Sequence, residues 1–316
     1  MSFVLDFEKP LQELEDRLDD LKRLATTGDL NLLDELATLE KKSQKLLKDT
    51  YARLTPWQTV QVARHPNRPH TSAYIEQLIE NFVPLCGDRA FGEDPAILAG
   101  MGSFRGTPVM VMGHEKGHDL ESRVHHNFGM PRPEGYRKVK RLMDLAHRFG
   151  LPILTFIDTA GAHPGADAEE RGQSEAIASC LEKGLAVEVP FVTTIIGEGG
   201  SGGAVALATA NTLLMLEYSV YSVISPEGCA SILWRTREKA PEAALAQKMT
   251  AKDLLALKVI DGIIPEVLGG AHRNPVATID KVGNAVEKAL FPLLSKSPHG
   301  LVQERRQKFL RMGRAL

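Results

Sequence analysis

Val192-Thr193-Thr194-Ile195-Ile196, followed by Gly197-Glu198-Gly199-Gly200-Ser201-Gly202-Gly203-Ala204, is the stretch that decides the fold. Five β-branched residues in a row predict a buried strand, and the glycines let backbone pass where a Cβ would clash. The small residues from Ala204 to Ala210 suit a helix packed closely on its neighbours. A strand, a glycine turn and a helix start leave several backbone N–H groups aimed into one cleft. Such a cleft stabilises negative charge, either a bound phosphate or an oxyanion that forms during reaction.

Outward from this turn the pattern alternates. Pro108–Met112 reads as a strand ending at Gly113, and Tyr136, Val139, Met143 and Ala146 mark one face of a helix closed by Gly150. Pro152–Asp158 is a second strand, a helix over roughly 168–186 follows, and Leu213–Leu216 is a strand after the glycine turn. A helix and a short Ile263-Ile264 strand lie between Leu254 and Glu266. Strands alternating with helices predict an α/β fold with a parallel sheet covered on both faces. Before it, Leu11, Leu14, Leu18 and Leu21, then Leu32, Leu36, Leu39, Leu46 and Leu47, predict a helical hairpin broken at Gly28. So short a seam must pack on the main domain or on a partner. The expected divisions are a hairpin over 1–55, a basic linker over 56–70 containing Arg64–Pro69, a main domain over 71–295 and a basic C-terminal helix over 296–316.

Composition bounds the function. The chain has 316 residues, 43% hydrophobic and 25% charged, as in an ordinary globular protein. A formal net charge of -2 argues against a general nucleic-acid binder. The acidic start after Met1 does not resemble a signal peptide, and the longest apolar stretch, about 202–216, is too short for a membrane span. Cys86, Cys180 and Cys229 lie far apart without a CxxC pair, which fits reduced cytoplasmic thiols and offers no zinc site.

Two familiar patterns lose weight on inspection. Gly197–Gly202 matches the dinucleotide fingerprint G-x-G-x-x-G, yet Glu217 follows Gly202 too soon and the helix between is too short. His114-Glu115-Lys116-Gly117-His118 matches the zinc-protease motif H-E-x-x-H, which needs a helix; here it follows a strand and contains a glycine. It reads as a loop, and nearby Arg123, His125 and His126 read as a solvated basic surface. A better lead is a second glycine-rich strand end, Asp158-Thr159-Ala160-Gly161-Ala162-His163-Pro164-Gly165. Ligands sit at the C-terminal ends of strands in open parallel sheets, so two amide-rich turns can face one cleft. Neither turn carries a P-loop Lys-Ser/Thr.

The strings Phe156–Gly165, Glu169–Ala178, Ile196–Ala204, Asn127–Pro131, Glu134–Lys138, Tyr221–Ala230 and Leu268–Arg273 resemble the alpha subunits of bacterial acetyl-CoA carboxylase carboxyltransferase, from Leu5 to about Pro275. The resemblance implies a crotonase-like α/β spiral fold and a cytoplasmic enzyme. Its implied reaction moves a carboxyl group from carboxybiotin, on the biotin carboxyl carrier protein charged by biotin carboxylase, to acetyl-CoA, giving malonyl-CoA. It implies an α2β2 assembly whose beta subunit carries the zinc, with no metal in this chain. By analogy, the amides of Gly202, Gly203 and Ala204 form an oxyanion hole for the biotin oxygen. Asp158, Thr159, Gly161, Gly165, Gly199 and Gly200 shape the biotin side of the cleft. The family's turn usually reads Thr-Pro-Gly-Ala-Tyr-Pro-Gly; Ala160 and His163 depart from it, loosening the turn and changing what can donate there. Two rival classes stay open: a crotonase-fold hydratase or thioesterase, for which Glu198 is the candidate base, and a non-enzymatic scaffold.

Overall fold

The computed structural model describes residues 3–24 and 30–314. In chain order the elements are α1 (Lys9–Leu24), α2 (Leu30–Tyr51), α3 (Pro56–Ala63), α4 (Thr71–Leu78), β1 (Glu80–Pro84), β2 (Ile97–Phe104), β3 (Thr107–His114), α5 (Leu120–His125) and α6 (Pro133–Phe149). β4 (Ile153–Thr159), α7 (Ala166–Glu170), α8 (Gln173–Ala186), β5 (Phe191–Gly200), α9 (Ser201–Val205), β6 (Thr212–Leu216) and β7 (Val220–Ser222) follow. The chain closes with α10 (Pro226–Trp234), α11 (Ala240–Gln247), α12 (Ala251–Ala256), β8 (Gly262–Ile264), α13 (Pro275–Leu294) and α14 (Pro298–Arg311).

β3, β4, β5, β6 and β8 pair in parallel in that spatial order, the arrangement that the alternating sequence predicts. The sequence reading missed β1 and β2, which extend one edge antiparallel. Their glycines explain the omission: an added Cβ at Gly100 would lie 2.3 Å from Val83 O, so the strands meet backbone to backbone instead of through β-branched side chains. Successive residues of a strand face opposite layers. Met110 and Met112 of β3 join Ile153 and Ile157 of β4 beneath α6 and α8, while Val109, Val111, Leu154 and Phe156 pack under α4 and α13. The sheet is therefore buried on both faces.

The predicted helix face of α6 is fully buried, and Gly150 ends it in the left-handed region at φ 66°. The helix expected over 168–186 is broken at Gly172, φ 81°, into α7 and α8. α9 is only five residues long, shorter than the run of small residues suggested. Instead β5 continues through the glycines, and Glu198, Gly199 and Gly200 pair with β7.

α1 and α2 contact one another, and Leu11, Leu47 and Tyr51 pack on Val62 of α3 beside Tyr218. The expected helix end at Gly28 lies outside the described residues. Residues 56–70 are more than a linker. Thr55 and Gln58 form a capping box at the start of α3, and Val60 and Val62 are fully buried. At the other end of the chain, Arg305 of α14 is buried and donates to the carbonyls of Gly184, Val187 and Val189 at 2.7–2.9 Å. Burial, and to a lesser degree Arg306, pulls its pKa down to about 10.

Three histidines are folded in neutral form. His65 and His272 stack with ring centroids 3.8 Å apart. Burial first, then the positive charges of Arg68 and Arg273, pushes His65 down to about 4; burial, His65 and the same two arginines push His272 to about 3. His114 is fully enclosed and lowered by burial to about 4. An unfolded histidine titrates near about 6.5, so between that pH and about 4 the unfolded chain binds more protons than the folded one. Stability is therefore expected to fall as the pH drops from about 6.5 towards 4. Urea unfolding at about pH 7 and about pH 5 measures the slope, and His272→Phe, which retains the stack on His65, is expected to flatten it. An unchanged slope in that variant contradicts the assignment.

Candidate active site

β4 ends at Thr159, whose Oγ1 donates to Gly161 O at 2.9 Å and accepts the Gly161 N–H at 3.0 Å. This local turn, with Gly161 at φ 148°, bends the chain across the end of the sheet. β5 ends beside it, with Thr159 opposite Gly199. Ser201, at φ 51°, then starts α9. The two turns touch through backbone alone. A Cβ on Gly200 would lie 2.1 Å from Ala160 O, and one on Gly203 would lie 2.8 Å from the carbonyl carbon of Gly161. The two glycine-rich strand ends thus lie against each other.

Within this arrangement Gly161, Gly199, Gly200, Gly203 and Ala204 are buried at the contact, and Gly202 is half-exposed at its edge. Gly165 stands apart at the start of α7. Gln173 Nε2 pins the intervening loop by donating to Pro131 O and His163 O, both at 3.0 Å. His163 itself is held between Asn127, 3.1 Å from Nδ1, and Asp167, 3.5 Å from Nε2.

Asp158 lies beneath the turns and is 2% exposed, so its carboxylate serves the scaffold instead of the open cleft. It meets His70 Nδ1 at 2.8 Å and Lys116 Nζ at 2.6 Å, and accepts the Glu198 N–H at 3.0 Å. Burial by itself would raise the Asp158 pKa. The Lys116 charge, then the His70 hydrogen bond and charge, outweigh burial and hold it well below the usual carboxylate range. Glu198, the acid inside the glycine turn, accepts two bonds from Arg64 at 2.6 and 2.8 Å; Arg64 reaches on to Glu227 at 2.6 Å. A carboxylate so neutralised is a poor free base, which counts against the hydratase reading. The buried His114 ring lies against the backbone of Gly203 and Phe156, with no well-formed hydrogen bond from either nitrogen.

Two hollows flank the contact between the turns. One, of about 210 Å³, carries charged side chains in its wall and is lined by Arg64, His70, Lys116, Arg123, Phe128 and Ala160. The other, of about 360 Å³, is lined by Ser201, Gly202, Val205, Tyr221, Val223 and Leu254. Sequence reasoning missed Arg64, His70, Lys116 and Arg123 as site residues. The signal was present in the basic stretch, which read as a linker, and in the H-E-x-x-H loop, beside which Arg123 read as a solvated surface. That loop contains no helix. Its Glu115 instead accepts the N–H groups of Ser72 and Gly117 at 2.8 Å, and among the described residues no cluster of three His, Cys, Asp or Glu could hold a metal.

A sheet covered on both faces, parallel but for its β1–β2 edge, with two glycine turns in backbone contact at its strand ends, is an α/β architecture of the crotonase-like fold. Solved structures share that architecture. The chain is 16% identical to a component of a Pseudomonas malonate decarboxylase hetero-tetramer in complex with coenzyme A, at TM-score 0.59, covering 76% of this chain and 95% of that one. Against transcarboxylase 12S the TM-score is 0.57 at 17% identity, covering 70% and 42%. The chain belongs to the acetyl co-enzyme A carboxylase carboxyltransferase-like family, whose model matches residues 4–313. It is 59% identical over 312 residues to the acetyl-coenzyme A carboxylase carboxyl transferase subunit alpha of Paramagnetospirillum magneticum, covering 99% of this chain and 98% of that protein. The corresponding subunit of Sphingopyxis alaskensis is 58% identical over 315 residues, covering all of both chains.

Proposed function

We propose that this chain is the alpha subunit of an acetyl-CoA carboxylase carboxyltransferase. In this reading it helps transfer a carboxyl group from carboxybiotin on the biotin carboxyl carrier protein to acetyl-CoA, giving malonyl-CoA for fatty acid synthesis in the cytoplasm. The observation that carries the reading is the backbone contact of the two glycine turns beside Asp158 and Glu198, both of which are tied up by cationic partners. When bound, carboxybiotin supplies the carboxyl group and the base that such a site lacks. The chain's own work is then to orient and to stabilise charge. The amides of Gly202, Gly203 and Ala204 would face the biotin oxygen, and Gly161, Gly199 and Gly200 keep that wall free of side chains. Asp158 and Thr159 fix the shape of the opposing turn, and Gly165 starts the helix that leads away from it.

The expected partner is a carboxyltransferase beta subunit, in an α2β2 assembly, with zinc on its side. Biotin carboxylase and its carrier protein complete the system. Apolar side chains are exposed for such a partner: Val223, which lines the hollow beside Gly202, is 80% exposed, and Ile232 and Leu233 of α10 are 72% and 63% exposed. No helix among the described residues is long and apolar enough to cross a membrane.

The test is decarboxylation of malonyl-CoA in the presence of a biotin analogue, with this chain alone and then with a beta subunit. Activity is expected only in the mixture. Hydration or hydrolysis of an enoyl- or acyl-CoA by the chain alone supports the rival class and removes this one.

A further inference from the structure

The hollow lined by Arg64, Lys116 and Arg123 holds cationic donors that its own carboxylates do not use up. Arg64 is fully engaged by Glu198 and Glu227. Lys116 Nζ meets Asp158 at 2.6 Å but stands 3.6 Å from Glu198, leaving donor capacity on the ammonium. Arg123 has only long contacts, to Gly117 O and Pro66 O, both at 3.4 Å. In the same wall His70 is 9% exposed; Asp158 occupies its Nδ1, and its Nε2 has no partner. A half-buried guanidinium without a carboxylate and a buried ring nitrogen without a bond are groups that a native interior rarely leaves unmatched.

We infer that this hollow is a carboxylate subsite. Arg123 and Lys116 receive the anionic oxygens, and the unpartnered Nε2 of His70 stands in the same wall, its ring held by the Asp158 contact at Nδ1. Ala160 and Glu198 wall this hollow and also belong to the two glycine turns, so the bound carboxylate lies next to the amides proposed for the oxyanion. Its occupant rests on the carboxyltransferase reading: the carboxyl group in transfer, in the form borne by malonyl-CoA. Arg123 is then a specificity-determining residue that separates the carboxylated thioester from acetyl-CoA.

The experiment has two arms. In the first, the full chain with labelled histidines is titrated with acetate, and with chloride at equal ionic strength, while the ring ¹⁵N signals of His70 are followed. A saturable shift of these signals with acetate alone is expected, lost in Arg123→Gln and retained in Arg123→Lys. In the second, the complex with a beta subunit is assayed. Arg123→Gln is expected to raise KM for malonyl-CoA at least tenfold and to change acetyl-CoA affinity less than twofold, whereas Lys258→Gln, on a distant surface, changes neither. A His70 shift produced equally by chloride, no shift at all, or equal losses for both thioesters overturns the subsite. If the complex proves inactive while acetate still moves His70 through Arg123, the subsite stands and the carboxyltransferase reading fails.

Discussion

Gly200→Ala is expected to lower carboxyl transfer by about 10²–10³-fold, the effect of losing an aligned oxyanion donor, or about 2.7–4 kcal/mol. The reason is local and steric. Gly200 has φ -100° and ψ 127°, a conformation that alanine adopts freely, so backbone strain does not enter. The added Cβ, however, would lie 2.1 Å from Ala160 O and 2.4 Å from Ala160 C. Both are backbone atoms and neither can swing aside. One turn must move away from the other, and the amides that follow Gly200 move with it. Overpacking costs about 1–3 kcal/mol of stability, less than the expected catalytic loss, so the variant should fold and fail in kcat. Gly202→Ala is the contrasting case. Its Cβ would meet only the Ile177 side chain, Cδ1 at 3.3 Å and Cγ2 at 3.6 Å, and a rate within about threefold of the parent is expected because the close atom is a side-chain tip that can give way. Measuring kcat and urea stability for both variants separates geometry from folding. A Gly200→Ala enzyme with more than a tenth of parental kcat would falsify the account.

The contrast also marks how much of this protein could be read from its sequence. Strand and helix signals near the site depend on neighbours a few residues apart, and there the reading holds. β-branched runs become β4 and β5, and the apolar face ending at Gly150 becomes α6. The two glycine turns were legible for the same reason, since a missing Cβ is a local fact. What could not be read is the set of charges beneath them. Arg64 and His70, Lys116, Asp158 and Glu198 come from four separate segments, and their pairing depends on where the sheet brings the segments. In the sequence, Arg64–Pro69 has the composition of a basic linker. In the fold Arg64 closes on Glu198, and Arg68 is buried in a two-bond pair with Glu266 at 2.8 and 2.9 Å. Likewise β5 was expected to stop at the first glycine, whereas pairing with β7, a long-range event, carries it to Gly200.

The second large effect is expected at Asp158. Asp158→Ala should destabilise the chain by about 3–5 kcal/mol, the usual cost of stranding buried partners of an ion pair. Three donors are stranded together: the Lys116 ammonium, the His70 Nδ1–H and the Glu198 N–H. Asp158→Asn keeps the shape and one acceptor but removes the charge, so a smaller loss, of about 1–3 kcal/mol, is expected. The pH dependence has a fixed sign. The folded-state pKa of Asp158 is depressed, because Lys116 and His70 outweigh burial. A depressed carboxylate contributes stability that is fully present above the unfolded pKa of about 3.9 and is lost only as the pH falls below it. The stability gap between parent and Asp158→Asn should therefore stay constant from neutral pH down to about pH 4 and close only in stronger acid. Over the same range the parent itself weakens through its neutral histidines, so the difference between the two proteins, not either curve alone, reports on Asp158. Catalysis should follow geometry. Asp158 joins the end of β4 to the amide of Glu198, so loosening it lets the turns drift apart without removing any amide. The expected signature is a fall in kcat with substrate affinity nearly intact. A loss confined to KM would mean that the carboxylate faces substrate and that its burial beneath the turns has been misread.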